Sequence, residues 1–167
     1  NQADKYSFAI NDLALNLGLK NKHITIEGFD VSHHSGHDAV ASAVRFSSNG
    51  PEKKSYRLYN IPKDLSGNDI GSMIHVLERR IEKSTINPLP DIILIDGGKL
   101  QLAAAFKTFY SLLKKPPMIL SIVKGSKRIR STETILSKDG IVEIPKESSG
   151  FLLCLLYTSD AADEWRS

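Results

Sequence analysis

The chain has 167 residues, enough for one domain with a sizeable core. Hydrophobic residues make up 41% and charged residues 25%, the balance of an ordinary globular protein, and no apolar run approaches the roughly 18 residues of a membrane span. A net charge of +3 permits a nucleic-acid partner without demanding one, and the single Cys154 excludes an intrachain disulfide and fits a reducing compartment. From the N-terminus, Asn1–Ile10 is polar and carries no secretory signature. Phe8, Ile10, Leu13, Leu15, Leu17 and Leu19 are loosely helical. Residues 1–22 are expected to be a connector from an upstream region, and a first residue that is not Met is in keeping with a fragment.

Three strand-like runs follow: Ile24–Ser32, Asp38–Phe46 and Tyr56–Ile61. The breaks between them, His33–Gly36 and Asn49-Gly50-Pro51, are turn signals, so the runs predict an antiparallel meander. Ile70, Met73, Ile74, Leu77 and Ile81 then fall at helical spacing, with Asn68 or Asp69 as the expected cap. Asp91–Asp96 is an apolar run that does not alternate, which predicts a strand buried on both faces. Gly97-Gly98 makes a turn into a second amphipathic helix marked by Leu102, Phe106, Phe109 and Leu113. Pro116-Pro117 stops it. Met118–Val123 is another buried strand, reached by a right-handed parallel crossover. Ile135–Pro145 reads as a hairpin around Asp139-Gly140. The expected class is α/β: a ribonuclease-H-like mixed sheet, three antiparallel strands continued by parallel strands, flanked by helices. The domain is expected over residues 23–153.

Two acids stand out. Asp96, in Ile93-Leu94-Ile95-Asp96-Gly97-Gly98-Lys99, ends a buried parallel strand, where open α/β sheets bind their ligands. The glycines let backbone approach closely, and the helix start that follows favours an anion. The plainer reading is an Asp that caps that helix. The spacing of a Walker phosphate loop is absent. Asp30, in Gly28-Phe29-Asp30-Val31-Ser32-His33, ends another apolar strand; a buried carboxylate needs a metal, a cation or hydrogen bonds, unless it only shapes a turn. If those two strands are neighbours, the carboxylates converge and demand a cation. Mg²⁺ is commonly held by one or two carboxylates together with phosphate oxygens, which suits phosphodiester hydrolysis. Asp69 either approaches that site or caps its helix, the reading we favour. His33, His34 and His37 resemble a metal cluster, but they fall on a turn without a further ligand in view; His23 and His75 read as surface or satisfied histidines. Arg57, Lys99, Lys124, Lys127 and Arg128 are candidates for the phosphate backbone, with Lys53, Lys54 and Arg130 beside them. Taken singly, each reads more readily as a solvated side chain.

At these residues the chain resembles the C-terminal endonuclease domain of UvrC, the third subunit of the bacterial UvrABC excision nuclease. The likeness runs from Ile26 to Leu153. It includes Ile26-Glu27-Gly28-Phe29-Asp30-Val31-Ser32-His33, Lys54-Ser55-Tyr56-Arg57, Asn60-Ile61, Val76-Leu77-Glu78-Arg79-Arg80, Leu89-Pro90-Asp91 and Asp96-Gly97-Gly98-Lys99 with Gln101-Leu102. The resemblance implies a ribonuclease-H-like fold, a site for Mg²⁺ or Mn²⁺ held by Asp30 and Asp96, and incision of damaged double-stranded DNA on the 5′ side of a lesion. It also implies UvrB, with UvrA upstream, as partners through regions outside this chain, no membrane, and the bacterial cytoplasm. Asp30, Asp96 and Asp69 match the family's acids, though the family has two acids in a row where Asn68-Asp69 stands. After Leu152-Leu153 the pattern departs. The family continues into a helix with Arg-Asp-Glu-Ala-His, whose His completes the site, whereas here no His follows His75. Residues 154–167 resemble a translated sequencing-adapter read-through and are expected to be a non-native tail.

Three functions follow as expectations. The first is a metal-dependent endonuclease domain. The second is a catalytically inactive piece of that domain, at most a weak DNA-binding module, as the missing His suggests. The third, a nucleotide- or sugar-binding α/β protein, rests on the Gly-Gly turn alone, and paired acids at two strand ends argue against it.

Overall fold

The computed structural model describes residues 2–32, 39–124 and 133–159. In chain order the elements are α1 (Gln2–Asn16), β1 (Ile26–Ser32), β2 (Val40–Ser47), β3 (Gly50–Pro51), β4 (Arg57–Asn60), α2 (Asp69–Glu82), β5 (Ile92–Asp96), α3 (Lys99–Leu112), β6 (Met118–Val123), β7 (Thr134–Ser137), β8 (Gly140–Ile141) and α4 (Ser149–Ser159). β1 and β2 pair antiparallel from Ile26↔Phe46 to Ser32↔Val40. β3 and β4 both lie along the other edge of β2, so together they act as an interrupted third strand of the meander. β5 joins β1 in parallel, β6 joins β5 in parallel, and the β7–β8 hairpin closes that side antiparallel. The sheet order is β3-β2-β1-β5-β6-β7-β8, with β4 beside β2. Three antiparallel strands are thus continued by parallel ones, as the order of sequence patterns predicts.

Strand alternation sorts the side chains into two cores. On one face Ile26, Val44, Phe46, Ile92, Leu94, Leu120 and Ile122 pack under α1 and α4. On the other Phe29, Ala41, Ala43, Ile93, Ile95 and Ile119 pack under α2 and α3, against Met73, Val76, Leu77, Leu102, Ala105 and Phe109. The run Ile92–Ile95 feeds both, which is why it does not alternate.

Within residues 1–22, α1 packs into the first of these cores. Ile10, Leu13 and Ala14 of α1 are fully buried there. A Cβ on Gly150 of α4 would stand 2.9 Å from the backbone nitrogen of Leu13, so the two helices cross at a point only glycine allows. Asp12 Oδ2 accepts from Gly150 N–H at 3.1 Å and helps start α4. The spread of apolar points in α1 disguised this packing, because Phe8 and Leu15 face outward and blur the stripe. α4 itself continues through residues 154–159, and Cys154, Tyr157 and Thr158 are buried; Tyr157 stacks on Phe46 with ring centroids 4.5 Å apart.

Candidate active site

The last bridged pair of β1 and β5 is Phe29↔Ile95. Asp30 and Asp96 each come next, so the two acids stand at the same register step on adjacent parallel strands. Both lie on the face of Ile26, Leu94 and α4, because side chains alternate along a strand. The structure therefore brings together the two acids singled out from the sequence. Asp30 pairs across the sheet with Ser42 of β2, and Asp96 with Ile122 of β6.

Asp96 does not cap α3. The cap is Gly98, whose N–H donates to Gln101 Oε1 at 3.0 Å. A Cβ on Gly97 would meet Cβ and Cγ of Gln101 at 2.8 Å, so that turn needs its first glycine for close approach. Freed from capping, the Asp96 carboxylate takes a charge-assisted bond of 2.7 Å from Lys124 Nζ, just past β6. Lys124 also points at the Thr158 carbonyl in the last turn of α4, 3.5 Å away. Asp30, Asp96, Lys124 and the end of α4 thus surround one corner of the sheet.

Two further observations bear on a divalent cation. Carboxylate oxygens are hard donors of the kind Mg²⁺ and Mn²⁺ prefer, and two at one register step repel each other unless a cation lies between them. Ser42, directly across from Asp30, has a buried hydroxyl oxygen with no hydrogen-bond partner. The residues present fit a metal held by two protein carboxylates. Among the described residues no group of three or more His, Cys, Asp or Glu could hold one without help from elsewhere.

Asp69 is exposed at the start of α2, in the layer on the opposite face of the sheet. The cap there is Asn68, whose Oδ1 accepts from Gly71 N–H at 2.8 Å. Among the basic candidates, Lys99 is exposed at the first position of α3. Arg57 is exposed on β4 and donates to the carbonyls of Tyr56 (2.7 Å) and Lys54 (2.9 Å). Lys127 and Arg128 lie outside the described residues, as do His33, His34 and His37.

Arg57 also lines a groove of about 630 Å³ between β2, β4 and the C-terminal half of α2, together with Arg79, Lys83 and Tyr59. Burial raises the Tyr59 pKa, so its hydroxyl stays protonated. Beneath the groove is an ion network that sequence reasoning missed. Glu27 of β1, 5% exposed, accepts from Arg80 Nε at 2.7 Å and Arg80 Nη2 at 2.8 Å, and from Arg45 Nη1 at 2.6 Å. Arg80 further donates to the carbonyls of Asn87 and Pro88. Burial alone would lower the Arg80 pKa; the bonds and charge of Glu27 reverse this and hold it above its usual value. The available signal was a glutamate inside the apolar run Ile24–Phe29, since a buried charge demands a partner.

The family described as the UvrC RNAse H endonuclease domain matches residues 14–164. UvrABC system protein C of Yersinia pseudotuberculosis is 41% identical over 133 residues, covering 77% of this chain and 21% of that protein. The same-named protein of Dictyoglomus thermophilum is 38% identical over 143 residues, covering 83% of this chain and 24% of that protein. The chain spans under a quarter of the length of the curated relatives it matches. Among solved structures, Ciona intestinalis endonuclease V in complex with an inosine-containing DNA is similar with a TM-score of 0.49 at 13% identity, covering 75% of this chain and 55% of that one. Human ENDOV is similar with a TM-score of 0.46 at 15% identity, covering 74% and 56%.

Proposed function

The chain belongs to the UvrC RNase H endonuclease domain family, and we propose that it is the strand-cutting domain of a longer bacterial excision-repair protein. It hydrolyses a phosphodiester on the 5′ side of a lesion in damaged double-stranded DNA. It works in the cytoplasm, with UvrB, and UvrA upstream, as partners through regions outside this chain. The observation that carries this reading is the placing of Asp30 and Asp96 at one register step just past the last β1–β5 bridge, with α3 capped by Gly98 and not by Asp96.

In this reading Asp30 and Asp96 hold Mg²⁺ or Mn²⁺. Such an ion supplies positive charge to the phosphate and acidifies a bound water. Asp96 gives up its bond to Lys124, and the released ammonium faces the same corner, ready for a phosphate oxygen. Lys99 at the start of α3 adds a second cation beside the Gly97–Gly98 turn, with Lys127 and Arg128 as further candidates. Arg57 binds the duplex backbone farther off. Such contacts position DNA without reading its sequence. Asp69, the third acid of the family pattern, acts from the neighbouring helix start or stabilises that helix.

A second reading is an inactive domain that only binds DNA. The observation behind it is that Tyr157 and Thr158 occupy the α4 turn beside Lys124 and Gly28. Nicking of lesion-bearing duplex in Mn²⁺ with UvrA and UvrB, with this domain carried in a full-length UvrC, separates the two. The nuclease reading expects cleavage lost in Asp30→Asn and in Asp96→Asn. Mn²⁺ binding without any cleavage supports the second reading. Cleavage that persists in both variants would sink the site assignment.

A further inference from the structure

Ser42 sits in the middle of β2, is 4% exposed, and its Oγ has no hydrogen-bond partner. Its neighbours make this costly. Val44 and Phe46 on the same strand face belong to the α1/α4 core, so water is excluded from that side. A serine could be replaced by alanine here with no loss of shape and with relief of a buried polar group. A hydroxyl kept under these conditions points to an acceptor that it serves in another state of the site.

The register identifies that acceptor. Ser42 is the antiparallel partner of Asp30. Directly opposed residues place their Cβ atoms about 4.5–5.5 Å apart on one face of the sheet. A serine hydroxyl spans that gap to a carboxylate oxygen with a single χ1 rotation. Two residues back along β1, Gly28 lets Val44 and the last turn of α4 close over the strand; a Cβ there would stand 3.3 Å from Val44 Cγ2 and 3.6 Å from the Tyr157 carbonyl oxygen. The Asp30 side chain is thus flanked by the serine across the strand and by Asp96 on the next strand.

Building on the proposed metal-dependent reading, we infer that Ser42 is a positioning residue for Asp30. Its hydroxyl donates to one carboxylate oxygen of Asp30 when the other oxygen holds the divalent ion. This fixes the carboxylate rotamer and answers the one buried donor left unpaired on that face of β2. A carboxylate that ligates a metal is usually itself hydrogen-bonded, and loss of such a partner weakens metal affinity about 10- to 100-fold.

The test is calorimetric titration of Mn²⁺ into the full chain and into Ser42→Ala, Ser42→Thr and Asp30→Asn, with thermal unfolding of each. The wild type is expected to bind Mn²⁺, and Asp30→Asn to abolish that binding. Ser42→Ala should weaken it about 10-fold or more while melting no lower than the wild type. Ser42→Thr, which keeps the hydroxyl, should stay within about threefold of the wild type, a rescue that a packing role does not give. If Ser42→Ala lowers the melting temperature, Ser42→Cys, close in volume and a poor donor, takes its place. Wild-type affinity in Ser42→Ala, with Asp30→Asn still defective, overturns the role of Ser42 alone. Equal weakening in the alanine and threonine variants also overturns it. A wild type that binds no Mn²⁺ overturns the metal reading of the carboxylates and this inference with it.

Discussion

Replacing Arg80 by alanine removes both arms of the fork on Glu27, at 2.7 and 2.8 Å, takes the side-chain donor from the Asn87 carbonyl and leaves the Pro88 carbonyl with Arg45 Nη1 at 3.3 Å. Glu27 keeps only Arg45 at 2.6 Å, which it shares with Glu52. The side chains of Glu27 and Arg80 are 6% and 7% exposed, so water cannot replace the lost partner. Breaking a buried pair from one side costs about 3–5 kcal/mol; the remaining Arg45 puts the expected value near the lower end, about 3 kcal/mol. At about 2–4 °C per kcal/mol for a domain of this size, the melting temperature should fall by roughly 6–12 °C. Urea titration followed by circular dichroism reads the same loss as a lower midpoint at unchanged slope. The paired replacement Glu27→Met with Arg80→Met should recover most of it, because a buried pair is often matched by apolar residues of like volume. A cost under about 1 kcal/mol for Arg80→Ala would refute the claim that this network ties β1 to α2.

Lys124→Met leaves Asp96 without its cation. The lysine is about a third exposed, so screening keeps the stability change below about 1 kcal/mol; Mn²⁺ affinity by calorimetry should rise, since the ion no longer competes with an ammonium. Gly97→Ala forces the new methyl against Gln101, at 2.8 Å from its Cβ and Cγ, and should cost about 1–3 kcal/mol in urea titrations while weakening Mn²⁺ binding through the displaced Asp96 turn. The Cys154 thiol, pushed up to about 12 by burial from an ordinary 9.0, should resist iodoacetamide at pH 8 until the protein unfolds. Its sign is that of an acid whose folded value is raised. Stability is intact below pH 9 and declines from there toward pH 12, seen as a falling urea midpoint across that window.

Long periodic patterns were read directly. The apolar spacing from Ile70 to Ile81 matched α2, and the unbroken Ile92–Ile95 matched a strand buried on both faces, because one residue period fits each. The convergence of Asp30 and Asp96 was legible only as a condition, namely that their strands are neighbours, and the register Phe29↔Ile95 supplies it. Three features lay beyond local pattern. The burial of α1 depends on its crossing with α4, more than a hundred residues away in sequence, and Gly150 carries no signal of that crossing. The Glu27–Arg80 pair joins residues 53 apart, so spacing could not match donor to acceptor. Ser42 looks like any small residue in a strand until its partner across β1 is known.

The corner that holds Asp30 and Asp96 gathers several negative groups, and this bears on the proposed metal. Two carboxylates share a register step there, and α4 ends above them with the Thr158 carbonyl 3.5 Å from Lys124 Nζ. Two carboxylates and a backbone carbonyl of α4 thus meet there. Among the described residues Lys124 is the cation paired with Asp96 at that corner. A fold that only needed rigidity would not gather them; each charge could have been an amide or a hydroxyl at lower cost. This clustering supports the proposed metal at Asp30 and Asp96. Asp30 and Asp96, with Ser42 positioning Asp30, should hold Mn²⁺ alike in the active and the inactive reading, and only cleavage should tell the two apart.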